Sequence, residues 1–305
     1  MRVSIMGQAA FGEAILARLF ADGVEVVGVS APAPVEGSRS DPLWSAAEAA
    51  DLPLLPTQFL KTAEGLARWR DLAADLCVMA FVTEIVRDDV LAAPLLGSIQ
   101  YHPSLLPLHR GSSAINWAII NGDAETGLTI FWPDRGIDTG PILLQKRTPL
   151  RFDDTVGSVY FDRLFPLGVD ALAESVALVA AGNAPRIEQE HTRATYEPAC
   201  DETHAAIRWY EDSARLHALI RGCNPQPGAW ATYEGERLRF FDSQLTGQPE
   251  SGMPGRVLRV DEGSFDVRLN GDVLRVLRVQ PAGGKKVPAG DWARSAGLKE
   301  GFRFR

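Results

Sequence analysis

Cysteine is scarce in this chain of 305 residues, which contains only Cys77, Cys200 and Cys223. An odd number of cysteines at wide spacing, without a CxxC pair, argues against a disulfide framework and a thiolate zinc site, so we expect reduced thiols. Long apolar runs are also missing: no stretch reaches about 18 apolar residues, and residues 1–7 lack the apolar segment of a signal peptide. These absences predict a cytoplasmic protein that does not span a membrane.

The chain also has no excess of positive charge: its formal net charge is -8. Such a balance disfavours a surface that binds phosphate backbones, although a local basic patch could still do so. Hydrophobic residues make up 46% of the chain, which is ordinary for a soluble protein and enough for a full-sized core. The length predicts two domains, or one large domain with an appendage.

The N-terminal glycines lack the spacing of a nucleotide-binding motif. Gly7 and Gly12 follow a predicted strand and open a predicted helix, but Ala9 stands where the GxGxxG fingerprint requires glycine. A phosphate-binding P-loop would end in GK[ST], and that sequence is absent too. We interpret this segment as a tight strand-to-helix turn and predict no nicotinamide cofactor.

Apolar strands alternate with helical patterns in the N-terminal part of the chain. Strands are predicted at residues 2–6, 24–29, 75–81, 97–101, 127–132 and 142–147, and helices at residues 11–21, 114–121 and 154–181, the last divided at Pro166. The strand at 24–29 has little polar alternation, so we expect it to be buried on both faces of a parallel sheet covered by helices. The predicted fold class is therefore α/β.

The pattern changes after a stretch of turn formers and mixed charge at residues 183–206, which we interpret as a linker. Short strands separated by glycine-rich turns then recur, at residues 230–233, 238–242, 255–260, 265–269 and 273–280. Strands of this length and spacing are typical of a small β-barrel. We predict a catalytic domain at residues 1–182 and a β-barrel domain at residues 207–305.

Three side chains are candidate catalytic groups: the amide of Gln100, the imidazole of His102 and the carboxylate of Asp138. His102 follows a predicted strand, at the edge where ligands bind in open α/β sheets, and Asp138 lies in a glycine-rich turn between two strands. An amide can hold a developing oxyanion, an imidazole can move protons near neutral pH, and a carboxylate can orient or charge the imidazole. The set suits transfer of a small acyl group, although a structural histidine and a turn-capping aspartate remain the alternatives.

Other chemistry near His102 has less support. No second histidine lies at ligand spacing and the nearby carboxylates are in turns, so we predict no metal site. A serine nucleophile is disfavoured because the neighbouring serines, Ser104, Ser112 and Ser113, do not form a GxSxG elbow. The other histidines are predicted to be solvated loop, linker or surface residues: His109, His191, His204 and His217.

The segment His102–Pro107 with Arg110–Gly111, followed by Asp138–Gly140, resembles the formyltransferase family that uses 10-formyltetrahydrofolate. The similarity extends over essentially the whole chain and implies a Rossmann-like formyltransferase domain with a parallel-rich sheet, followed by a small OB-like barrel. It also implies 10-formyltetrahydrofolate as the formyl donor and His102, Asp138 and Gln100 as catalytic residues. The folate pterin would then lie against residues of two segments: Val82, Thr83, Glu84, Ile85, Asp134 and Ile137.

Gln100 departs from the family pattern, in which an asparagine stands two residues before the histidine. Glutamine keeps the amide but places it about 1.5 Å further along the side chain. A displacement of about 1 Å can lower a catalysed rate roughly a hundredfold. The hydrolase domain of 10-formyltetrahydrofolate dehydrogenase, the branch of the family that this chain resembles most, also lacks the asparagine, which is compatible with a hydrolase-like site.

Three interpretations of the function remain. The first is an enzyme that passes the formyl group to water or to a small amine, and the second is a methionyl-tRNA formyltransferase. Family members that act on tRNA carry a basic insertion after the second strand, whereas residues 31–46 contain one cation, Arg39. Basic residues in the barrel keep the tRNA alternative open: Arg256, Arg259, Arg268, Arg275, Arg278, Lys285 and Lys286. The third is a non-catalytic folate-binding protein. We favour the first.

Overall fold

The computed structural model describes residues 1–248 and 251–305, which divide into two compact units. The first unit consists of Met1–Ser112, Gly127–Thr148 and Arg163–Tyr196. The second consists of Ser113–Thr126, Pro149–Asp162 and Glu197–Arg305. Among the described residues, no helix combines the length and the apolar character needed to cross a bilayer.

Seven strands of the described chain form the sheet that organises the first unit. They are β1 (Arg2–Gly7), β2 (Glu25–Ala31), β3 (Leu54–Pro56), β4 (Leu76–Ala80), β5 (Ser98–His102), β6 (Glu125–Phe131) and β7 (Ile142–Pro149). Their order is β3-β2-β1-β4-β5-β6-β7; the pairings from β3 to β5 are parallel, and β6 runs antiparallel to β5. The prediction of a parallel-rich α/β sheet is confirmed.

Helices of the described residues occur in both units. They are α1 (Ala9–Ala21), α2 (Pro42–Ala49), α3 (Ala63–Asp71), α4 (Asp88–Leu91), α5 (Ala114–Ile120), α6 (Val156–Val159), α7 (Phe165–Ala180), α8 (Ser213–Gly222) and α9 (Ala289–Ser295). The predicted helix at 154–181 is divided, because a wider π-helical turn at Tyr160–Leu164 separates α6 from α7. Pro166 stands in the first turn of α7, directly after the π-helical turn.

Both faces of the central strands are buried, as a parallel sheet covered by helices requires. In β4, Val78 belongs to one apolar cluster, whereas Met79 belongs to a second. In β1, Ile5 and Met6 are divided between the same two clusters. Successive side chains of a strand point to opposite faces, so an unbroken apolar run supplies two cores at once.

At the junction between β1 and α1, the close approach of β4 requires glycine at position 7. A Cβ atom on Gly7 would lie 2.2 Å from the carbonyl oxygen of Ala80, so β1 and β4 approach closely only because the residue is glycine. The start of α1 is held by Asp41, whose carboxylate accepts hydrogen bonds from the amides of Ala9 (2.8 Å) and Leu43 (2.9 Å). One side chain thus caps α1 and α2 together.

The second unit contains two four-stranded antiparallel sheets, ordered β10-β13-β12-β11 and β15-β14-β9-β8. The strands are β8 (Ala229–Tyr233), β9 (Glu236–Phe240), β10 (Ser243–Leu245), β11 (Val257–Val260), β12 (Phe265–Arg268), β13 (Val273–Val276), β14 (Arg278–Pro281) and β15 (Val287–Pro288). This barrel-like arrangement confirms the predicted fold of the C-terminal part. The single strand predicted at 273–280 is two strands, because the chain changes sheet at Leu277, whose amide bonds to the Asp242 carbonyl.

In the second unit, one residue differs from its sequence-based expectation and one contact was not predicted. His217, predicted at the surface, is only 2% exposed, since it lies on the inward face of α8. The cysteines are free thiols, as expected, but the sulfurs of Cys200 and Cys223 lie 3.8 Å apart. Their separation of 23 residues in the sequence gave no sign of this contact.

Replacement of Gly7 by alanine should destabilise the first unit. The added methyl group would meet backbone atoms of β4 that cannot rotate away, so we expect a loss of about 1–3 kcal/mol in the free energy of unfolding. Thermal unfolding followed by circular dichroism measures the change. Gly263→Ala is the matched control, because its Cβ would have open space, and we expect a change within about 0.5 kcal/mol. Equal unfolding midpoints for the two variants would contradict the close approach.

Candidate active site

Strand β5 delivers two of the predicted site residues to one face of the sheet. Gln100 and His102 are two positions apart, so their side chains leave the strand in the same direction. The pairing of β5 with β4 and β6 fixes both backbones: Gln100 lies opposite Met79 and Phe131, and His102 opposite Thr129. The His102 ring is 5% exposed, whereas Gln100 is half-buried.

The loop after β5 returns to bond with the His102 ring. His102 Nε2 lies 2.8 Å from the carbonyl oxygen of His109. A carbonyl oxygen can only accept, so Nε2 carries the hydrogen and donates it. Nδ1 is therefore the ring nitrogen without a hydrogen when the imidazole is neutral. His109 itself corrects a prediction: expected to be solvated, it is only 6% exposed.

Polar contacts from the neighbouring strands hold this loop in place. The hydroxyl of Thr129 accepts a hydrogen bond from the Leu106 amide (3.1 Å), and the Gln145 amide donates to the Leu106 carbonyl (2.8 Å). Within the loop, the Ser104 hydroxyl donates to the Leu108 carbonyl (2.6 Å). Ser104 is completely buried. To act as a nucleophile, its hydroxyl would have to give up the hydrogen bond to Leu108.

Asp138 comes to His102 from the turn between β6 and β7. Its Oδ2 lies 3.6 Å from His102 Nδ1 and accepts a hydrogen bond from the Gly111 amide at 2.8 Å. The two side chains are 6% and 11% exposed, so water screens the field of the Asp138 carboxylate at the ring only poorly. The structure thus brings together an imidazole and a carboxylate that are 36 positions apart in the sequence.

The turn that carries Asp138 is unusually tight. Asp138 has a φ of 55°, in the left-handed region that L-residues rarely adopt. A Cβ atom on Gly140 would lie 1.8 Å from the Trp132 carbonyl oxygen, so only glycine fits there. Asp134 closes the turn, because its Oδ1 accepts hydrogen bonds from the Gly136 amide (3.0 Å) and the Thr139 hydroxyl. Strained backbone of this kind persists where surrounding contacts enforce it.

A buried arginine supplies those contacts. Arg110 is 2% exposed, and its Nη2 donates to Gln189 Oε1 at 2.6 Å. The Gln189 amide nitrogen in turn donates to the carbonyls of Asp138 (2.9 Å) and Gly140 (2.7 Å). Arg110 also donates to the Tyr196 hydroxyl. Gln189 therefore links the loop after β5 to the turn that carries Asp138. Gln189 was not predicted as a site residue, because it lies in a segment that we interpreted as linker.

The residues predicted to contact folate lie in two segments near each other. After β4, Val82 is half-buried, Thr83 and Glu84 are exposed, and Ile85 is 83% exposed. In the turn after β6, Asp134 is exposed and Ile137 is 56% exposed. An ion pair between Arg135 Nε and Asp88 Oδ2, 2.6 Å apart, joins the turn to the start of α4.

A cavity of about 190 Å³ opens beside the segment after β4. Its lining is mainly apolar and includes Met6, Leu60, Val86 and Val90. Two of the predicted folate-contacting residues, Glu84 and Ile85, also line it. Lys61 also lines it and forms an ion pair with Glu84 at 2.9 Å. An apolar slot with a few polar groups at its rim is the usual form of a site for a small planar ligand.

Comparison with protein families now identifies the class. The formyl transferase model matches residues 1–175, and the model of the formyl transferase C-terminal domain matches residues 201–297. The first match alone covers more than half of the chain. This chain belongs to the formyltransferase family.

Two relatives within that family are similar to the chain at nearly equal identity. Cytosolic 10-formyltetrahydrofolate dehydrogenase of Xenopus laevis is 36% identical over 310 residues, which cover 97% of this chain and 34% of the dehydrogenase. Methionyl-tRNA formyltransferase of Roseiflexus castenholzii is 37% identical over 312 residues, which cover 100% of this chain and 99% of that enzyme. The chain therefore spans about a third of the length of the dehydrogenases that it matches.

The fold itself recurs in HypX from Aquifex aeolicus, solved in complex with tetrahydrofolic acid. The two structures superpose with a TM-score of 0.71 over 97% of this chain and 47% of HypX, at 18% sequence identity. The sugar 3N-formyltransferase WlaRD gives a TM-score of 0.69 over 91% of this chain and 97% of WlaRD, also at 18% identity. At such identities the likeness establishes the fold.

Replacement of Gln189 by leucine should destabilise the first unit. Leucine would fill the space but leave the Arg110 guanidinium and the carbonyls of Asp138 and Gly140 without this partner in a buried place. Each unsatisfied buried group costs about 1–3 kcal/mol, so we expect a loss of at least about 2 kcal/mol in unfolding free energy. Thermal unfolding gives the measurement. Gln248→Leu, at an exposed position, is the control and should have little effect. Equal unfolding midpoints for the Gln189 and Gln248 variants would rule out the linking role of Gln189.

Proposed function

We propose that this chain removes the formyl group of 10-formyltetrahydrofolate and passes it to water or to a small amine. The observation that carries the proposal is the approach of His102 Nδ1 to Asp138 Oδ2, 3.6 Å apart and almost withdrawn from solvent. Family membership supports formyl chemistry, and the similarity to 10-formyltetrahydrofolate dehydrogenase supports this donor. We assign His102 and Asp138 as the catalytic pair.

In the proposed reaction, the oxygen of water or the nitrogen of an amine attacks the formyl carbon. His102 Nδ1 takes a proton from the attacking group, since Nε2–H is held by the His109 carbonyl. The carboxylate of Asp138 stabilises the imidazolium that forms. The bond between the formyl carbon and N10 of the folate then breaks, and the proton on Nδ1 passes to N10. The products are tetrahydrofolate and formate, or tetrahydrofolate and the formylated amine.

Gln100 has a supporting role in this proposal. As the tetrahedral intermediate forms, negative charge develops on the formyl oxygen, and a side-chain amide can donate a hydrogen bond to it. Gln100 leaves β5 on the same face as His102, which suits this task. Its extra methylene relative to the asparagine of family transferases would shift the donor, so we propose that the site favours an acceptor as small as water.

The folate would be held by the two segments that flank the catalytic pair. We propose that the pterin ring lies against Val82, Thr83, Glu84 and Ile85 on one side and against the turn of Asp134 and Ile137 on the other. The exposed apolar side chains of Ile85 and Ile137, at 83% and 56% exposure, are suited to cover a planar ring. The apolar cavity beside Glu84 and Ile85 supports this assignment.

Removal of either member of the catalytic pair should abolish most of the activity. We expect His102→Ala and Asp138→Asn each to lower the rate of formate release from 10-formyltetrahydrofolate by about 10²- to 10⁴-fold, because general acid–base catalysis contributes that much. Asparagine at 138 can still accept the hydrogen bond from the Gly111 amide, so the variant tests the charge rather than the fold.

The controls separate catalysis from binding and folding. His204→Ala should keep full activity, because His204 belongs to the second unit and pairs with Asp201. Tetrahydrofolate binding, measured by calorimetry, should change little in the His102 and Asp138 variants. Turnover close to that of the unchanged protein in either variant would eliminate the assignment. Tight folate binding by the unchanged chain without any formate or formylated amine would favour a folate-binding protein.

Methionyl-tRNA formyltransferase is the second candidate, because the match to the Roseiflexus enzyme extends over 99% of its length. The charge pattern of the barrel weakens this candidate. Several basic side chains that could contact phosphates are paired with carboxylates: Arg259 with Asp261, Arg275 with Asp266 (2.9 Å) and Arg278 with Asp242 (3.0 Å). Paired cations release fewer counterions when they meet a nucleic acid, and so contribute less affinity.

A binding experiment decides between the acceptors. We expect no saturable binding of methionyl initiator tRNA in a filter assay at low or moderate salt. The Roseiflexus enzyme provides the positive control. Saturable binding that weakens steeply with salt, by about 10³-fold or more between 50 and 200 mM, would replace the small-acceptor proposal with the tRNA candidate.

A further inference from the structure

Two thiols of the second unit lie against each other. The sulfurs of Cys200 and Cys223 are 3.8 Å apart, and neither residue forms a disulfide. Cys200 lies in the irregular segment that begins the last part of this unit, and Cys223 directly follows α8. The proposed formyl transfer uses neither thiol, so the catalytic site does not account for their contact.

Helix α5 anchors the backbone on both sides of this contact. Ser113, the residue before α5, accepts through its hydroxyl a hydrogen bond from the Cys200 amide at 3.0 Å. From the helix itself, the Asn116 side-chain amide donates to the Gly222 carbonyl at 2.8 Å. Gly222 is the residue before Cys223. One helix thus fixes the chain segments that carry the two sulfurs.

The end of α8 is also packed tightly where it carries Cys223. A Cβ atom on Gly222 would lie 2.5 Å from Cγ1 of Ile120, so α8 and α5 approach closely at this point. The Cys223 amide donates to the Leu219 carbonyl at 2.9 Å, and the Cys223 carbonyl accepts from the Gly228 amide at 2.8 Å. The contact between the thiols therefore belongs to a hydrogen-bonded and packed framework.

The two thiols differ in their access to solvent. Cys223 is completely buried, whereas Cys200 is half-buried. A dissolved reagent therefore reaches Cys200 first. The third cysteine, Cys77, is 1% exposed in β4 of the first unit and provides an internal reference for a thiol of the core.

The contact also makes the two thiols unequal in acidity. A hydrogen bond from the Cys223 thiol lowers the pKa of Cys200, although the neighbouring Asp201 carboxylate opposes this shift. The same hydrogen bond, together with burial, raises the pKa of Cys223. Burial raises the pKa of Cys77 to about 12. Because the thiolate is the reactive form, Cys200 is the nucleophile of the pair and Cys223 is placed to react with its oxidised product.

We propose that Cys200 and Cys223 form an oxidation site that hydrogen peroxide converts into a disulfide. The Cys200 thiolate attacks one peroxide oxygen, the O–O bond breaks, and hydroxide leaves, so that Cys200 becomes a sulfenic acid. The Cys223 sulfur then attacks the Cys200 sulfur as its own proton is lost, and the S–O bond breaks. The two hydroxides take up the protons of the two thiols. Two thiols are oxidised by two electrons, and the peroxide is reduced to two molecules of water.

Thiol counting on the full chain tests the proposal. After exposure of the folded protein to hydrogen peroxide, followed by denaturation, we expect the number of free thiols to fall from three to one. Peptide mapping should join residues 200 and 223 of the same chain, and dithiothreitol should restore all three thiols. Retention of three thiols at millimolar peroxide, a bond that includes Cys77 or a bond between two chains would overturn the proposal.

Replacement of Cys223 by serine isolates the first step. The Cys200 sulfenic acid then has no thiol beside it, so we expect dimedone to label residue 200, whereas the unchanged chain should retain little label. Cys77→Ala is the control and should form the disulfide as the unchanged protein does, because Cys77 belongs to the other unit. Equal labelling of Cys223→Ser and the unchanged chain would exclude the second step. If Cys223→Ser does not fold, the thiol count of the unchanged chain decides.

The disulfide should also stabilise the second unit. It would join two residues 23 positions apart, and closing such a loop restricts the unfolded chain. We therefore expect the unfolding midpoint of the oxidised chain to lie about 5–10 °C above that of the reduced chain. Circular dichroism of the two forms gives the measurement. A lower midpoint after oxidation would contradict the proposal, because it would show that the bond distorts the packed framework.

Discussion

The hydrogen bond between Arg110 and Gln189 connects the two segments on which the candidate site depends. Arg110 ends the loop that holds the His102 ring through the His109 carbonyl, and Gln189 holds the backbone of Asp138 and Gly140. Both linking side chains are buried, at 2% and 5% exposure, so water competes weakly for their hydrogen bonds. The segments that carry the imidazole and the carboxylate are therefore joined by a contact that involves neither group.

This arrangement explains how a strained turn can persist. The backbone of Asp138 is held at a positive φ that costs free energy, and Gly140 fits only because it has no side chain. In return, the Asp138 carboxylate is fixed by the Gly111 amide and directed at Nδ1 of His102. In the reaction that we propose, a carboxylate placed in advance would need little reorganisation as charge develops on the ring.

The acceptor of the formyl group depends on features outside this pair. The family comparisons include a dehydrogenase and a tRNA-modifying enzyme at nearly equal identity, so overall similarity does not separate them. Two local features bear on the acceptor: Gln100 before the histidine, and barrel arginines that are already paired with aspartates. Both support our proposal of a small acceptor, since the first would alter the space beside the formyl oxygen and the second reduces the charge available for phosphates.

The sequence by itself determined the fold class and most of the strands and helices. Apolar runs predicted the buried parallel strands, glycine-punctuated short strands predicted the barrel, and the residue types of His102 and Asp138 indicated proton transfer. Only the tertiary structure decided which atoms face each other. It showed that His102 Nε2 is bound by its own loop, that Gln189 links that loop to Asp138, and that His109 and His217 are buried. Periodicity reports only which face of an element is apolar, whereas these contacts join residues up to about eighty positions apart, and the packing of the whole unit decides them.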